Sequence, residues 1–479
     1  MKTIKITFAF FIFFSLLFNN AWANEPINID PELYKQRMEW WQDLKFGLMI
    51  EYGIWSVMGV TESWPLSQDS YEGNTKGRMC ITGDDTTTTR EYDHPNWDFD
   101  YDKYRQTYWN QSKLFYPRLF DEYEWADIAD RAGFKYFVFT TKHHDGFCMF
   151  DTKLTDFKIT SPDCPYSDHP NPDITERLFN AFREKGMGIG VYYSYSDWHS
   201  PYYWKPETPA PDRHFNYDIE KEPERWQMFI NYYQGQIREL LSGYGKVDML
   251  WLDGGWDRKY MEVEKMIKMA RDLQPELIVS RGGVPGDGIE TPEKQVPDKP
   301  LGEPWETCDP MSDFWAWKPF DNYRSAKQTV HQLIDIVCKG GNFLLSVVAM
   351  DNGKITLAAE QRLNKIGAWL DVNGEAIYGT RMYSMDVYKE GNVCYTKKNN
   401  NVYAIYLDES ESDMGKLPAE INVKHITPVS GSKIYMLGVD KPLNWKKAGD
   451  GVKITIPGSV MKTPPCKYAY SFRIQVSGS

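Results

Sequence analysis

The clearest candidate for chemistry in this sequence is a carboxylate at the end of an apolar run. Residues 247–253 are mostly apolar and end in Asp253, and Gly254 and Gly255 follow directly. In barrel enzymes, functional groups collect where the strands end at the C-terminal face. Because neighbouring glycines let a ligand approach the backbone, the pattern favours a nucleophile at Asp253. An Asp that only caps the following turn is the alternative, and the residues alone leave it open.

Two adjacent histidines, His143 and His144, follow a second apolar run at 136–142. Neighbouring side chains on a strand point to opposite faces, so both rings reach one ligand only where the backbone bends. Polar ligand binding, a metal pair and a core histidine are the three alternatives. Since the chain has no HExxH motif and no paired-Cys spacing, we predict neither a bound metal nor a cofactor.

Further polar groups follow two more predicted strands. The run at 188–194 leads into Tyr195, Asp197, Trp198 and His199, which are side chains that suit a sugar ligand. The Gly- and Pro-rich segment 280–306 contains Arg281, Asp287, Glu290, Glu293, Glu303 and Glu306. Glycoside hydrolysis needs two carboxyl groups flanking one bond, with one of them kept protonated. The acids of this segment are therefore candidates for the partner of Asp253.

The elements that must position these groups alternate between about residues 40 and 380. Nearly continuous apolar runs predict parallel strands that are buried on both faces, at 45–50, 136–142, 188–194, 247–253, 277–281 and 343–348. Apolar residues at helical spacing predict helices around 125–132, 226–240 and 330–337. More than five strand–helix units in about 340 residues favour an α/β fold of the (β/α)8-like TIM-barrel type over an open sheet.

Beyond Arg381 the pattern changes. Short β-like runs at 403–407, 433–437, 452–456 and 468–476 alternate with Gly, Asn and Pro turns. They predict a C-terminal antiparallel β-sandwich at 382–479, following a catalytic barrel domain at 24–381. Residues 68–100 are polar, Thr-rich and without periodicity, which predicts a long loop over one face of the barrel.

The N-terminus has the features of an export signal. Lys2 and Lys5 precede an apolar run at 7–18, and Ala21-Trp22-Ala23 matches a cleavage site, so we expect a signal peptide at 1–23 and a periplasmic or extracellular protein. The apolar run is short for a membrane span, with an uncleaved anchor as the alternative, and no Cys follows the cleavage site to carry a lipid. The seven Cys residues occur singly, which does not indicate a disulfide framework but leaves one or two bridges open.

The composition narrows the class of partner. The formal net charge is −12, from 67 acidic and 55 basic residues without a basic block, so neither nucleic acid nor stable membrane insertion is expected. The 18 Trp and 31 Tyr residues fit a carbohydrate, because aromatic faces stack on sugar rings, although an aromatic-packed barrel accounts for them equally well.

Taken together, these motifs resemble glycoside hydrolase family 29, the α-L-fucosidases, over roughly residues 35–380. The resemblance is carried, in the family's order, by Lys45-Phe46-Gly47 with Gly53, Trp125-Ala126 and Ala132-Gly133, the TTKHHDGF run at 140–147, Tyr192-Tyr193-Ser194 with Trp198-His199, the WLDGG run at 251–255, Thr291-Pro292-Glu293 and Trp305-Glu306. The TTKHHDGF run is specific by itself, and the ordered series argues strongly against chance similarity.

The resemblance implies a retaining exo-glycosidase that removes terminal α-L-fucosyl residues from glycans by double displacement. Asp253 corresponds to the nucleophile of the family. Residues implied to line the pocket for the terminal sugar are His143, His144, Tyr192 (or Tyr193), Trp251 and Arg281. Glu293 is the first choice for the acid/base, and Glu306 and Glu290 are its alternatives.

Two positions depart from the family's pattern. Glu51 stands where the family has a His, and Ser63 stands before Trp64 where the family has a Glu, with Glu62 displaced by one residue. The family's His both donates and accepts hydrogen bonds, whereas an ionised Glu51 only accepts them. We therefore expect Glu51 and Trp64 to contact the sugar and the departures to affect its identity. A related exo-hydrolase such as an α-L-galactosidase and a catalytically silent carbohydrate-binding homologue are the alternative functions.

Overall fold

The computed structural model describes residues 30–67, 101–210, 212–281, 288–410 and 415–477. The predicted signal peptide and the predicted loop at 68–100 lie outside these residues, as do Cys80 and Asp287. Within the described residues, no helix combines the length and the apolar character that crossing a membrane requires.

Seven parallel strands form one sheet in the spatial order β5-β4-β3-β2-β1-β7-β6. They are β1 (Phe46–Glu51), β2 (Tyr136–Lys142), β3 (Gly188–Ser194), β4 (Met249–Asp253), β5 (Ile278–Ser280), β6 (Glu306–Pro310) and β7 (Asn342–Val348). Between β5 and β6, Ile289 pairs with Ser280 and Glu293 pairs with Cys308 in isolated parallel bridges. The extended segment 289–293 thus connects the two outer strands, and the sheet curls into the (β/α)8-like barrel that was predicted.

Helices surround the strands and connect them. They are α1 (Pro31–Leu44), α2 (Trp55–Met58), α3 (Tyr101–Trp109), α4 (Glu122–Ala132), α5 (Ile174–Glu184), α6 (Pro223–Gly243), α7 (Val263–Leu273), α8 (Ala326–Cys338) and α9 (Leu357–Asn373). Their starts follow ordinary capping chemistry, since Asp121 accepts from the first free amides of α4 and Ser325 forms a capping box on α8. The helix predicted at 125–132 ends at Gly133, whose left-handed φ of 89° closes α4.

Strands that are buried on both faces consist mainly of apolar residues, and such runs are the ones that can be recognised in the sequence. Every residue of β1, β2, β3 and β7 is buried, as continuous apolar runs require when helices cover one face and the barrel interior the other. The sequence pattern does not predict β6, because its residues, ETCDP, are mostly polar. This strand is nevertheless fully buried, so its polar groups must find partners inside the protein.

The C-terminal part forms antiparallel sheets, as predicted. One sheet has the order β13-β16-β11-β10-β8, with β9 paired to β10, and a second has the order β12-β15-β14. The strands are β8 (Arg381–Met382), β9 (Lys389–Glu390), β10 (Val393–Lys398), β11 (Asn401–Leu407), β12 (Glu420–Val423), β13 (Tyr435–Met436), β14 (Asn444–Ala448), β15 (Gly451–Thr455) and β16 (Ala469–Gln475), with a short helix α10 (Gly458–Lys462) before the last. Side chains of both sheets share one apolar core.

Candidate active site

A pocket of about 220 Å³ opens where the barrel strands end. It is lined by Glu51, Thr61, Glu62, Trp64, His143, Tyr192, Arg213, Trp251, Asp253, Gly254, Gly255, Trp256, Arg281, Glu293, Lys294, Phe314 and Trp315. Every residue predicted for the site lines this pocket except His144, which lies directly behind it. Five strand ends meet here because β1, β2, β3, β4 and β5 are parallel members of one sheet.

Asp253 is the last residue of β4, and three side chains hold its carboxylate. The Tyr192 hydroxyl donates to Oδ2 at 2.8 Å, and His144 Nε2 lies 3.2 Å from the same oxygen. Arg281 places a guanidinium nitrogen 3.2 Å from Oδ1. Burial alone would raise the pKa of Asp253, but the Arg281 charge and the His144 hydrogen bond hold it well below its usual range. Asp253 is therefore ionised at neutral pH.

The two histidines reach one region because the backbone changes course after β2. The pairing of β2 with β3 shifts register near its end, and the rings of His143 and His144 come within 4.6 Å of each other between centroids. Each Nδ1 atom meets a serine hydroxyl, Ser63 for His143 and Ser196 for His144. Burial lowers the pKa of both imidazoles, so both rings are neutral at neutral pH. His143 faces the pocket, and His144 positions Asp253.

Two glutamates, not one, line the pocket at the position where the sequence departs from the family. Glu51 and Glu62 are both buried, with 6 % and 2 % of their surface exposed. Burial and the neighbouring Glu62 carboxyl raise the pKa of Glu51 well above its usual range. A neutral carboxylic acid both donates and accepts hydrogen bonds. The raised pKa favours a Glu51 side chain that donates as well as accepts, whereas the expectation that it only accepts applies to its ionised form.

Ser63 does not reach the pocket. Its side chain is fully buried and contacts Nδ1 of His143 from behind. The residue before it, Glu62, lines the pocket instead, and the residue after it, Trp64, does so as well. The displaced glutamate thus supplies a carboxyl group to the pocket wall, and the serine supports the histidine.

Arg281 connects the two predicted catalytic carboxylates. The guanidinium nitrogen that contacts Asp253 also lies 2.7 Å from Glu293 Oε2. The guanidinium is stacked 5.0 Å above the ring of Trp251, which in turn stacks on Tyr192 with centroids 5.1 Å apart. Arg281 has a positive φ of 47°, an uncommon backbone state that is often found where function requires it.

The three candidate acids occupy different environments. Glu293 lines the pocket with 29 % of its side chain exposed. Glu290 is exposed and lies outside the pocket lining. Glu306 is fully buried, where its carboxyl accepts from Tyr136 at 2.5 Å and from Trp251 Nε1 at 3.1 Å. Of the three, only Glu293 lines the pocket.

One group of side chains has the composition of a metal site. Ligand atoms of His143, His144 and Asp253 lie within 4.8 Å of one another, the one such group of at least three ligands among the described residues. Two features oppose a cation there. His144 already donates to Asp253, and the Arg281 guanidinium already neutralises that carboxylate. The arrangement is better suited to hydrogen bonds with a polar ligand.

Comparisons with known proteins identify the family. The family model described as Alpha-L-fucosidase matches residues 17–375, and that described as Alpha-L-fucosidase C-terminal domain matches residues 387–475. The chain belongs to the α-L-fucosidase family. It is therefore a glycoside hydrolase, as its motifs implied.

Relatives of this α-L-fucosidase-family chain match over nearly its whole length. The tissue alpha-L-fucosidase of Homo sapiens is 26 % identical over 452 residues, which cover 91 % of this chain and 88 % of that protein. Alpha-L-fucosidase isoenzyme 1 from Paenibacillus thiaminolyticus has a TM-score of 0.72 at 27 % identity, with 93 % and 100 % of the two chains covered. The Thermotoga maritima alpha-fucosidase in complex with fucose has a TM-score of 0.70 at 27 % identity, with 93 % and 99 % covered.

Part of the pocket of this family member was not predicted from the sequence. The lining residues that were not predicted as site residues are Thr61, Glu62, Arg213, Gly254, Gly255, Trp256, Lys294, Phe314 and Trp315. Proximity in sequence was a usable signal for Glu62, Trp256 and Lys294, because each lies within three positions of a predicted site residue. The FWAW run at 314–317 was a second signal, since paired aromatics near a strand end suit a sugar.

Proposed function

We propose that this chain is a retaining exo-α-L-fucosidase in which Asp253 is the nucleophile and Glu293 is the acid/base. The observation that carries the proposal is the shared contact of both carboxylates with one nitrogen of Arg281, at 3.2 and 2.7 Å. Because Asp253 Oδ1 and Glu293 Oε2 contact the same Arg281 nitrogen, these two oxygens are no more than about 6 Å apart. Retaining glycosidases have their carboxyl groups about 5–5.5 Å apart, and inverting ones about 6.5–9.5 Å.

The shape of the pocket supports an exo mode of action. Glu51, Glu62, His143 and Tyr192 are buried at one end, whereas Gly255 is exposed. A pocket that is closed at one end accepts a terminal sugar and excludes an internal one. Glu51, His143 and Asp253 supply the hydrogen-bonding groups for the hydroxyls of that sugar, and Trp251 and Tyr192, which line the same pocket, supply apolar ring atoms.

In the proposed reaction, Asp253 attacks the anomeric carbon while Glu293 protonates the glycosidic oxygen. The bond to the leaving group breaks, and a β-linked glycosyl-enzyme forms on Asp253. Glu293 then removes a proton from water, which displaces Asp253 from the opposite face and restores the α configuration. Before the attack the negative charge beside Arg281 is on Asp253, and in the glycosyl-enzyme it is on Glu293. The one Arg281 guanidinium therefore stabilises the charged carboxylate at both stages.

A second candidate sugar is favoured by one observation. Glu51 and Glu62 place two carboxyl groups at the closed end of the pocket, and L-galactose differs from L-fucose by a hydroxyl on C6 that needs a polar partner. An α-L-galactosidase of the same mechanism is therefore the alternative. Aryl α-L-fucoside and aryl α-L-galactoside assays on the same preparation separate the two.

Two variants test the proposed roles. Asp253→Ala is expected to lose at least about 10³-fold in turnover of an aryl α-L-fucoside, and added azide should then give the β-fucosyl azide, because azide enters from the vacated face. Glu293→Ala should slow substrates with poor leaving groups much more than those with good ones, and azide should give the α-fucosyl azide from the glycosyl-enzyme. Glu290→Ala is the matched control for an exposed glutamate of the same segment. Near-wild-type turnover by a folded Asp253→Ala variant would refute the mechanism.

A further inference from the structure

The side chains at the mouth of the pocket differ in chemistry from those at its closed end. The closed end contains the carboxyl groups of Glu51 and Glu62, with Asp253 beside them. The half-exposed residues that form the mouth include two cations, Arg213 and Lys294. In an exo-glycosidase the terminal sugar occupies the closed end, so the sugar that leaves with the glycosidic oxygen must lie at the mouth.

Each cation of the mouth is held against aromatic rings. The Arg213 guanidinium lies 5.1 Å from the ring of Trp64 and 5.3 Å from that of Trp256. The Lys294 ammonium lies 5.6 Å from the ring of Trp315. Contacts of this kind hold a long side chain in place, so the two charges stay at the mouth. The same rings give a sugar flat surfaces to stack on.

Lys294 is also fixed by its backbone. Its amide donates to the carbonyl oxygen of Cys308 at 2.9 Å, and its φ is 54°. The residue before it is Glu293, which pairs with Cys308 of β6. The cation of Lys294 is therefore attached to the same short segment that carries the proposed acid/base, close to the bond to be cleaved.

We propose that the mouth of the pocket is a leaving-group subsite for a sugar that carries an anionic group, a carboxylate or a sulfate. The inference rests on the proposed function, because the subsite is defined by where the terminal sugar sits. Among the described residues, the closed end offers an anion no free positive partner, because the Arg281 guanidinium is already paired with Asp253 and Glu293, whereas Arg213 and Lys294 attract an anion at the mouth. The preferred substrates are thus α-L-fucosides of uronic acids or of sulfated sugars, with the charge on the released part.

The experiment compares kcat/KM for pairs of α-L-fucosyl disaccharides of one linkage. One member of each pair has a neutral galactose as the released sugar, and the other has galacturonic acid or 6-sulfogalactose. The wild-type protein is compared with Lys294→Gln and Arg213→Gln, and with Lys299→Gln, an exposed lysine outside the pocket lining, as the matched control. An aryl α-L-fucoside, assayed first, tests the proposed function separately.

The expected result is a preference of the wild-type protein for the anionic substrates by at least about three-fold, the size that partly exposed charge pairs give. Lys294→Gln and Arg213→Gln should each lower this ratio, and Lys299→Gln should not. Because such pairs are screened by salt, 0.5 M NaCl should also lower it. A preference for only the carboxylate or only the sulfate would identify which source of charge the subsite takes.

If aryl fucoside is hydrolysed but the ratio is one or less, or is unchanged in both folded variants, the inference is wrong. No hydrolysis of aryl fucoside would instead refute the proposed function.

Discussion

The Tyr192 hydroxyl donates a hydrogen bond to Oδ2 of Asp253 at 2.8 Å. The next residue, Tyr193, points the other way and donates to Oε1 of Gln236 at 2.7 Å in the surrounding core. Because successive side chains of a strand point to opposite faces, Tyr192 faces the barrel interior and Tyr193 faces the surrounding helices. This alternation also decides which of the two belongs to the pocket, a choice that the sequence left open.

Tyr192→Phe should lower kcat/KM on an aryl α-L-fucoside by about 10- to 100-fold, because a hydrogen bond to a charged group contributes about 1.5–3 kcal/mol. The ring stack on Trp251 remains, so the melting temperature should change little. Tyr193→Phe is the matched control, and it should lose stability through Gln236 while keeping its activity. Equal activity losses in the two variants would show that the contact with Asp253 has no special role.

Gly254 and Gly255 form a second matched pair. Gly254 has a φ of 77°, and a Cβ there would lie 2.6 Å from Cε1 of His144. Gly255 has open space where a Cβ would be. Gly254→Ala should therefore cost about 1–3 kcal/mol of stability and displace His144 from Asp253, with a fall in kcat. Gly255→Ala should leave the melting temperature within about 1 °C of wild type. A Gly254→Ala variant as stable and active as Gly255→Ala would contradict this account.

Glu306 should make the stability of the protein depend on pH. Burial raises its pKa to about 7 from an ordinary value of 4.5, so the folded protein holds this proton more tightly than the unfolded chain does. The resulting contribution to stability is complete below about pH 4.5 and is lost as the pH rises through about 7. Glu306→Gln has no such proton.

Thermal unfolding of Glu306→Gln and wild type should be measured between pH 5 and pH 8. The variant loses part of a hydrogen bond with Tyr136 or Trp251 at every pH, but its stability relative to wild type should improve towards pH 8, by on the order of 1–2 kcal/mol. Other buried acids titrate equally in both proteins and cancel in the difference. Parallel curves over the whole range would mean that Glu306 does not hold a proton in this window.

Chelation should leave turnover unchanged. The His143, His144 and Asp253 group is close enough for a metal, but Arg281 already provides the positive charge beside Asp253. Protein treated with EDTA and then desalted should keep its kcat on an aryl α-L-fucoside. A loss that zinc or manganese restores would show that this group holds a catalytic ion.

Much of the barrel was predictable from local pattern. The strand that ends in Asp253 and the helix that ends at Gly133 both follow from apolar spacing and a terminal residue, since each is stabilised mainly by burial of its own apolar face. β6 has no comparable apolar pattern, because its burial depends on distant residues. Gly47 leaves space for the Tyr136 ring, where a Cβ would lie 2.2 Å from it, and that tyrosine then satisfies Glu306.

The exact members of the pocket were harder to predict. A shift of one residue decides whether Glu62 or Ser63 enters it, and that choice depends on the short 3₁₀ turn at Trp64–Leu66, which has no sequence period of its own. Which of Glu290, Glu293 and Glu306 enters the pocket depends on the segment 289–293, which pairs with β5 on one side and β6 on the other. Pairing between residues that are far apart in sequence cannot be read from the spacing of apolar residues in a short segment.

The position of Ser63 changes how sugar preference should be tested. Ser63 is fully buried against His143, so Ser63→Glu would put a carboxyl group behind the histidine and is expected to destabilise the fold. The carboxyl groups at the closed end of the pocket are those of Glu51 and Glu62. Variants of these two residues are the informative ones.

Glu51→His should shift the ratio of kcat/KM for α-L-fucoside over α-L-galactoside by at least about ten-fold towards the fucoside. A lost hydrogen-bond partner of a bound hydroxyl costs about 1–3 kcal/mol, and the change also restores the residue that the α-L-fucosidase pattern has at this position. Glu62→Gln keeps the shape of its side chain and removes its charge, so it should lower the pKa of Glu51 and move the pH dependence of kcat/KM to lower pH, because Glu62 is a cause of the raised value. Both variants should be checked for a wild-type melting temperature. If the sugar ratio stays flat in a folded Glu51→His variant, Glu51 does not contact the part of the sugar that distinguishes the two substrates, and its exchange for the family's His is a matter of packing.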